Sequence, residues 1–239
     1  MSKRLLLFGA TSGIGRALLQ RLEQQGGWEL AAVSRDPARM QDLPESVTKI
    51  TADATLPSGP AKAFEAFPEP SAVVNCIGNL FLKPVHRTSP EEFTNVMRVH
   101  VFSSYNILHH AVGQMAAGGC ITLMSSVAAG TGLVNHEAIA AAKGAVEGLT
   151  RSAAATYAPK GLRVNAVAPG LTETPMTSAL TQGPARAVSE KMHPLGRIGR
   201  PEDIASAIAW LIDPEQSWVT GQILHVDGGL GGLRQAPRA

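Results

Sequence analysis

The chain has 239 residues, of which 44% are hydrophobic and 17% charged, so it can bury one large core, and we expect a single domain over residues 1–239. Its net charge of +2 is small and its Lys and Arg residues are scattered, which argues against a nucleic-acid or membrane partner and favours a small-molecule substrate. The two cysteines, Cys76 and Cys120, lie in apolar runs without metal-ligand spacing, so we expect no metal site. The sequence contains neither a signal-like start nor a run of about 20 apolar residues, which predicts a soluble, cytoplasmic protein.

Short apolar segments alternate along the chain with longer segments of helical periodicity. Seven apolar segments are predicted strands, at residues 5–8, 29–34, 47–51, 72–75, 120–125, 163–167 and 222–226. Strands that are apolar throughout and alternate with helices are typical of a parallel sheet covered on both faces, so we expect a doubly wound α/β fold. Such sheets bind ligands beyond the carboxyl ends of their strands, where this sequence has Gly9, Ser34, Asp53, Asn75, Ser126 and Pro169.

A glycine-rich turn at residues 9–15, Gly-Ala-Thr-Ser-Gly-Ile-Gly, follows the first predicted strand and precedes an amphipathic helix. Glycines let the backbone turn sharply, approach a pyrophosphate and pack the helix on its strand, while the first N–H groups of the helix face the anion. Glycines also end strands for steric reasons alone, but the position between strand and helix favours a dinucleotide site. Its predicted residues are Gly9, Thr11, Ser12, Gly13, Ile14 and Gly15.

The residues after the second, third and fourth predicted strands bear on the choice of cofactor. Ser34 ends the second strand and Arg35 follows it, where a site for NAD would carry an acidic residue; an arginine there can pair with the 2′-phosphate of NADP. Asp53, after the third strand, either accepts a hydrogen bond from the adenine amino group or caps the following helix. Asn75 ends the fourth strand, and Gly78 is small enough for the cofactor ribose to lie against the backbone. We therefore predict NADP(H) as the cofactor.

Further motifs extend along nearly the whole chain. They are Asn-Cys-Ile-Gly at 75–78, Ser-Ser at 125–126, Lys-Gly-Ala-Val-Glu-Gly-Leu-Thr at 143–150, Arg-Val-Asn-Ala-Val-Ala-Pro-Gly at 163–170, Gly-Arg-Pro-Glu-Asp-Ile-Ala at 199–205, Thr-Gly at 220–221 and Val-Asp-Gly-Gly at 226–229. Together with the turn at 9–15 and Asp53, they resemble the motifs of the short-chain dehydrogenases/reductases. The resemblance implies a single-domain Rossmann fold, NAD(P)(H) binding and assembly as a homodimer or homotetramer.

The resemblance also implies roles for individual residues. It places the turn of Pro169 and Gly170 near the nicotinamide, with Thr172 and Thr174 toward its carboxamide or the diphosphate. Lys143 would lie on the nicotinamide ribose.

Two of the four catalytic positions of this family carry other residues in this chain. The family's catalytic group is Asn, Ser, Tyr and Lys, and its Ser and Lys correspond to Ser126 and Lys143. Ile139 stands at the Tyr position, thirteen residues after Ser126 and four before Lys143, and His100 stands at the Asn position. In the family's mechanism the lysine lowers the pKa of Tyr, the serine polarises the substrate oxygen, and Tyr delivers the proton. Isoleucine has no proton to give.

A different residue is therefore needed as proton donor. Tyr157 lies fourteen residues after Lys143, about 21 Å along a helix, and Tyr105 is more than a turn beyond His100, so neither is suitable. His136, seven residues before Lys143, lies on nearly the same helix face, and a histidine can donate a proton near neutral pH. Each histidine has a structural alternative, since His136 is also explained as a polar residue at a helix start and His100 as a structural hydrogen-bonding group.

Two hypotheses about function follow from these motifs. The spacing His136-x6-Lys143 resembles the Tyr-x6-Lys of enoyl reductases in the same superfamily, whereas the glycine pattern resembles that of carbonyl reductases. We predict an NADPH-dependent reductase of a small, largely apolar carbonyl or activated alkene, with Ser126 orienting the substrate and an unconventional proton donor. The alternative is a non-catalytic NADP(H)-binding sensor or oligomer subunit.

Two expectations concern segments outside the motifs. Residues 172–200 have weak periodicity and are predicted to be either a mobile lid over the site or an ordered surface loop. The helices predicted near 91–115 and 136–157 carry more small and apolar residues than one buried face needs, so we expect them to pack against a symmetry-related copy.

Overall fold

Residues 3–234, which the computed structural model describes, contain one parallel sheet of seven strands. The strands are β1 (Lys3–Phe8), β2 (Trp28–Ser34), β3 (Val47–Thr51), β4 (Ala72–Asn75), β5 (Cys120–Met124), β6 (Arg163–Pro169) and β7 (Ile223–Val226). Their order is β3-β2-β1-β4-β5-β6-β7, and every neighbouring pair is parallel. The direction of winding reverses between β1 and β4, as in a Rossmann fold, so the predicted doubly wound α/β fold is confirmed.

Helices cover both faces of this sheet. They are α1 (Gly13–Gln25), α2 (Ser58–Ala66), α3 (Pro90–Met97), α4 (Ser103–Gln114), α5 (Glu137–Tyr157), α6 (Ser178–Thr181), α7 (Gly183–Met192) and α8 (Pro201–Ile212). Because alternate strand residues point to opposite faces, Leu5 and Leu7 of β1 pack with α1 and α8, whereas Leu6 and Phe8 pack with α2, α4 and α5. All four side chains are fully buried. None of the helices described is both long and apolar enough to cross a membrane.

The helix predicted over 91–115 is divided by a wider π-helical turn. Residues Arg98–Phe102 form this turn between α3 and α4. Two hydroxyl groups at the start of α4 bind its carbonyls: Ser103 Oγ donates to Val99 O at 2.6 Å, and Ser104 Oγ donates to His100 O at 2.7 Å. Such turns frequently occur at functional sites. Here the turn carries His100 to the cavity described below.

The segment 172–200 has secondary structure of its own. Pro175–Thr177 form a 3-10 turn that leads into α6 and α7. On α7, Arg186 pairs with Glu173 at 2.9 Å and with Glu190 at 2.8 Å, which ties the helix to the start of the segment. The weak periodicity is explained by the lengths of the helices, which are four and ten residues.

Gly9, at the end of β1, allows a test of how tightly the glycine turn is packed. Its φ is +73°, and a Cβ at this position would lie 2.6 Å from the carbonyl carbon of Cys76. We expect Gly9→Ala to lower the free energy of unfolding by more than about 2 kcal/mol, because the strained φ and the backbone clash add. Thermal and urea unfolding would measure this change.

Gly113→Ala is the matched control, since this exposed glycine lies in α4 and a Cβ there would meet no atom within 4 Å. It is expected to be neutral or to stabilise the protein by about 0.5–1 kcal/mol. Equal stability of the two variants would contradict the close packing of Gly9.

Candidate active site

One cavity of about 1360 Å³ lies along the carboxyl edge of the sheet. Residues that follow six of the strands contribute to its wall, where ligands of such sheets bind. The predicted site residues that line it are Gly9, Thr11, Ser12, Gly13, Ile14, Ser34, Arg35, Asp53, Gly78, His100, Ser126, His136, Lys143, Pro169, Gly170, Thr172 and Thr174. Two other predicted residues, Gly15 and Asn75, lie outside the lining.

Gly15 and Asn75 have structural roles. A Cβ at Gly15 would lie 2.5 Å from Gly9 O, so this glycine allows α1 to pack closely on β1. Asn75 is buried, and its Nδ2 donates to Ser104 Oγ at 3.0 Å while its Oδ1 accepts from the N–H of Ile77 at 3.0 Å. The side chain of Asn75 therefore turns toward α4 and shapes the loop after β4, and its contact with the cofactor stays a prediction.

The turn between β1 and α1 has the geometry of an anion site. Ser12 caps α1 by accepting a hydrogen bond from the N–H of Gly15 at 3.0 Å. The N–H groups of Gly13 and Ile14 begin the helix, where no carbonyl acceptor is available within the helix itself. A Cβ at Gly13 would lie 2.9 Å from Thr174 Cγ2, so the glycine keeps a slot open between the turn and segment 172–200. These N–H groups and the helix dipole favour a phosphate in that slot.

Three arginines line the end of the cavity next to β2. Arg35 is exposed, and no salt bridge within residues 3–234 involves it. Arg16 is held by Asp42 at 2.8 and 3.0 Å, and Arg39 donates to Thr11 O at 3.1 Å. Sequence reasoning identified Arg35 alone. The place of Arg16 directly after the glycine turn was a usable signal, whereas only the path of the chain after β2 returns Arg39 to the cavity.

Ser34 and Asp53 are bound locally as well as lining the cavity. Ser34 Oγ lies 3.4 Å from Thr11 Oγ1, and Asp53 Oδ1 accepts from the N–H of Thr55 at 2.9 Å. Because α2 begins at Ser58 with Pro57 as its N-cap, the alternative of Asp53 as a helix cap is wrong. Its second carboxylate oxygen remains available to a ligand.

Ser125 and Ser126 follow β5 and differ in what their hydroxyl groups do. Ser125 is buried, and its Oγ donates to Glu147 Oε1 at 2.9 Å. Ser126 is half-buried, and its Oγ accepts from the N–H of Ala128 at 3.2 Å. The hydroxyl proton of Ser126 is therefore free to be donated to a substrate oxygen, whereas that of Ser125 is committed.

Lys143 on α5 reaches the same strand end. Its side chain is almost fully buried, and Nζ donates to Met124 O at 2.6 Å. Burial disfavours the charged form and lowers the pKa of Lys143 to about 7. One helical turn earlier, Ile139 lies on the cavity wall; Tyr105 and Tyr157 are not part of the lining.

His100 is a buried, neutral imidazole. Its Nε2 donates to Asn79 Oδ1 at 2.9 Å, while its Nδ1 has no hydrogen-bond partner within residues 3–234. Burial, with the nearby charge of Lys143, lowers the pKa of His100 to about 2. At neutral pH His100 therefore carries one proton, which is already donated to Asn79, and this argues against His100 as the donor of the catalytic proton. A Cβ at Gly78 would lie 3.2 Å from its ring, so the histidine also packs beneath that loop.

Two further histidines line the cavity. His136 is half-buried at the N-cap of α5, and its Nδ1 lies 2.8 Å from Val134 O. His193, which sequence reasoning missed, is buried with Nδ1 at 2.7 Å from Ser189 O and its Nε2 unpartnered. No sequence signal distinguishes His193, because the fold of segment 172–200 alone brings it to the cavity.

The remaining wall is largely apolar. The apolar residues around Ser126 and Lys143 are Leu80, Leu82, Val99, Leu133, Ile139, Met176, Leu180 and Met192. The lysine, arginine and acidic residues of the described lining are Arg16, Arg35, Asp36, Arg39, Asp53 and Lys143, and all except Lys143 belong to the end near β2 and β3. The two ends of the cavity therefore suit different chemistry: a charged cofactor at one and an uncharged molecule at the other.

Comparison with known proteins gives one consistent family. The family model described as enoyl-(acyl carrier protein) reductase matches residues 9–231. Cis-4-hydroxycyclohexanecarboxylate dehydrogenase of Sinomonas cyclohexanicum is 35% identical, with 92% of this chain and 93% of the relative covered. Carbonyl reductase family member 4 of Danio rerio is 33% identical, with 96% of this chain and 98% of the relative covered.

The solved structures agree with this assignment. Ligand-free aldohexose dehydrogenase of Thermoplasma acidophilum is 31% identical and superposes with a TM-score of 0.87, covering 100% of this chain and 96% of that chain. A mutant of a short-chain dehydrogenase/reductase of Serratia marcescens is 26% identical with a TM-score of 0.90 and covers 97% of this chain and 99% of that chain. The protein therefore belongs to the short-chain dehydrogenase/reductase family of oxidoreductases, whose members bind nicotinamide cofactors.

Proposed function

We propose that this protein is an NADPH-dependent reductase of small, uncharged, largely apolar carbonyl compounds or conjugated alkenes. The observation that carries the proposal is the continuity of the cavity, because it joins the glycine turn and Arg35 at one end to Ser126, Lys143 and an apolar wall at the other. A dinucleotide and a small substrate would thus meet at the end of β5.

The half of the cavity near the glycine turn and Arg35, here called the cofactor half, suits NADP(H). The slot kept open by Gly13 and the first N–H groups of α1 suit a pyrophosphate, and Arg35 suits the 2′-phosphate. Asp53 would accept from the adenine amino group. As the family resemblance implies, Pro169 and Gly170 would lie near the nicotinamide, with Thr172 and Thr174 toward its carboxamide or the diphosphate. When bound, the reduced nicotinamide supplies a hydride.

The half of the cavity around Ser126 and Lys143, here called the substrate half, favours substrates that can delocalise the negative charge formed during reduction. Ser126 has a free hydroxyl proton to polarise an oxygen. The family resemblance implies a tyrosine at the position of Ile139, which has no proton to donate. Reduction of an isolated ketone concentrates charge on oxygen and needs a strong donor, whereas reduction of a conjugated alkene spreads the charge into an enolate. We therefore expect enones and quinones to be better substrates than saturated ketones.

The proposal is tested by following NADPH oxidation with a matched panel of saturated ketones, enones, quinones and carboxylated analogues. Turnover that is fastest with uncharged conjugated compounds is expected. The carboxylated analogues should be poor because the arginines of the described lining, Arg16, Arg35 and Arg39, lie at the end near β2 and β3. Rapid turnover of saturated ketones alone would refute the preference.

The second candidate function is non-catalytic NADP(H) binding, as a sensor or an oligomer subunit. It is favoured by Ile139, which stands where the family resemblance implies a tyrosine. Tight NADPH binding without turnover of any ketone, enone or quinone in the panel would support the non-catalytic function.

We also propose that the protein assembles as a homodimer or homotetramer through α4 and α5. Phe102, Tyr105 and His109 form an aromatic stripe at the start of α4; Phe102 is 50% and Tyr105 53% exposed. Beside it, α5 presents small residues such as Ala141 and Gly144. Such a surface suits contact with a symmetry-related copy.

Light scattering at micromolar concentration is expected to give a mass of two or four times 25.0 kDa. Tyr105→Asp should shift this mass toward that of one chain, because a charge would be buried in the contact. A monomeric wild-type protein would contradict the assembly.

A further inference from the structure

We propose that the ammonium group of Lys143 is the proton donor of the reduction and so replaces the tyrosine hydroxyl of the family. This inference rests on the proposed reductase function and names the acid that it requires. The cavity holds several other groups with a proton. The buried ones differ from Lys143 in whether that proton can be transferred, and the half-buried His136 is distinguished from Lys143 by the variants below.

The two buried histidines hold an N–H group in a hydrogen bond to the protein. In His100 the N–H is donated to Asn79 Oδ1 at 2.9 Å, and in His193 the N–H on Nδ1 is donated to Ser189 O at 2.7 Å. The second nitrogen of each ring is buried and has no hydrogen-bond partner within residues 3–234.

The thiol and hydroxyl groups near the reaction centre are poor acids. Cys76 directly follows β4, the strand next to β1, and burial raises the pKa of its thiol to about 12. Ser125 donates its proton to Glu147. Ser126 can polarise an oxygen through a hydrogen bond, but a serine hydroxyl does not release its proton near neutral pH.

Lys143 combines the required proton with the required position. Nζ lies 2.6 Å from Met124 O, the last carbonyl of β5, and Ser126 is only two residues further along the chain. An ammonium group has three N–H bonds, and within residues 3–234 only this one hydrogen bond uses them. Ile139, one turn earlier on the cavity wall, has a hydrocarbon side chain and so supplies no acid.

The groups that surround Lys143 allow the proton to be released. Cys76 and His100 face it from the end of β4 and from the π-helical turn, and both are neutral at pH 7. Glu147, one turn further on α5, is held by Ser125 at 2.9 Å and by Arg151 at 3.4 Å. No salt bridge within the described residues holds Lys143 in its charged form, and burial lowers its pKa to about 7.

With a carbonyl substrate, the proposed step adds a hydride to carbon and a proton to oxygen. The carbon gains a hydride, and thus two electrons, from the reduced nicotinamide, which is oxidised. The C=O π bond breaks, and the oxygen takes a proton from Nζ. Lys143 is left as a neutral amine that regains a proton from solvent. For a conjugated alkene the same proton goes to the enolate.

The first test is the pH dependence of kcat/KM in wild type and in Lys143→Arg. We expect the wild-type rate to fall as the pH rises through about 7, because the ammonium form is the acid. The guanidinium of Lys143→Arg keeps the charge but holds its proton, so kcat should fall at least about a hundredfold while NADPH still binds. Lys160→Arg, an exposed lysine after α5, is the matched control and should be unchanged.

A second variant distinguishes loss of the acid from misfolding of Lys143→Arg. Lys143→Ala leaves a space in which methylamine or ethylamine can bind, and these amines should restore part of the rate in proportion to their concentration. Ile139→Tyr introduces a phenol beside Lys143 and should raise turnover of saturated ketones.

The third test needs no cofactor and no turnover. In the unfolded chain the lysine keeps its ordinary pKa of 10.5, whereas in the folded protein it loses its proton near 7. Between these values the unfolded state binds more protons, so folding is favoured as the pH rises. The folding constant of the cofactor-free wild type, relative to Lys143→Met, should rise up to about tenfold per pH unit from roughly pH 7.5 to 9.5.

The outcomes separate the two proposals. An unchanged rate and pH profile in Lys143→Arg, or a hundredfold loss in His136→Ala with Lys143→Arg still active, would overturn the role of Lys143 and leave the reductase function standing. A flat stability ratio in the cofactor-free protein would also overturn it. No turnover by the wild type with any substrate would refute the reductase function, and the donor with it.

Discussion

Ser126→Ala is expected to lower kcat for NADPH-dependent reduction by about 10²–10³-fold, because it removes the hydrogen-bond donor that meets the charge developing on the substrate oxygen. The hydroxyl of Ser126 accepts from Ala128 N–H at 3.2 Å, which fixes its position and leaves its proton free. The loss should fall on kcat more than on KM, since the interaction strengthens as charge develops in the transition state.

Ser125→Ala is the matched control for this prediction. The same substitution one residue earlier removes a hydroxyl that donates to Glu147 Oε1 at 2.9 Å and so is not available to a substrate. It is expected to reduce stability but to change kcat less than about fivefold. Steady-state kinetics and NADPH titration of both variants would measure this. Equal kcat losses in the two variants would contradict the assigned role of Ser126.

NADPH is expected to bind at least tenfold more tightly than NADH, a difference of about 1.4 kcal/mol, with Arg35 as the main cause. Arg35 is exposed at the cavity end next to β2, and no carboxylate of the described chain pairs with it. A charge-assisted contact with the 2′-phosphate contributes about 1.5–3 kcal/mol, so Arg35→Ala should weaken NADPH binding roughly 10–100-fold and leave NADH nearly unaffected.

Substitution of the other arginines tests whether the NADPH preference is due to Arg35. Arg16 is already held by Asp42, and Arg39 donates to Thr11 O, so each should have a smaller effect than Arg35. Arg21→Ala, on the exposed side of α1 and outside the main cavity, removes the same charge and should not change the preference. Fluorescence titration at two salt concentrations would test this, because the NADPH preference should shrink as salt screens the phosphate. Equal affinities of the wild type for NADPH and NADH would contradict the assignment of Arg35 to the 2′-phosphate.

The sequence by itself determined the fold and most of the positions around the cavity. Strand periodicity and the turn at 9–15 are local properties, because a buried parallel strand needs consecutive apolar residues and a tight strand-to-helix turn needs glycine. Since the carboxyl ends of parallel strands share one edge, strand ends alone also predicted that Ser34, Asp53, Ser126 and Pro169 would meet. That Ile139 stands where a tyrosine is expected is what the family resemblance implies.

What a side chain does at that edge depended on the tertiary structure. Strand position did not show that Asn75 bonds Ser104 or that burial keeps His100 neutral, because hydrogen-bond partners and desolvation come from segments distant in sequence. His193 reaches the cavity through short helices without a readable period. The state of Lys143 was likewise decided by its burial beneath residues from other elements, since an isolated lysine has nothing to lower its pKa.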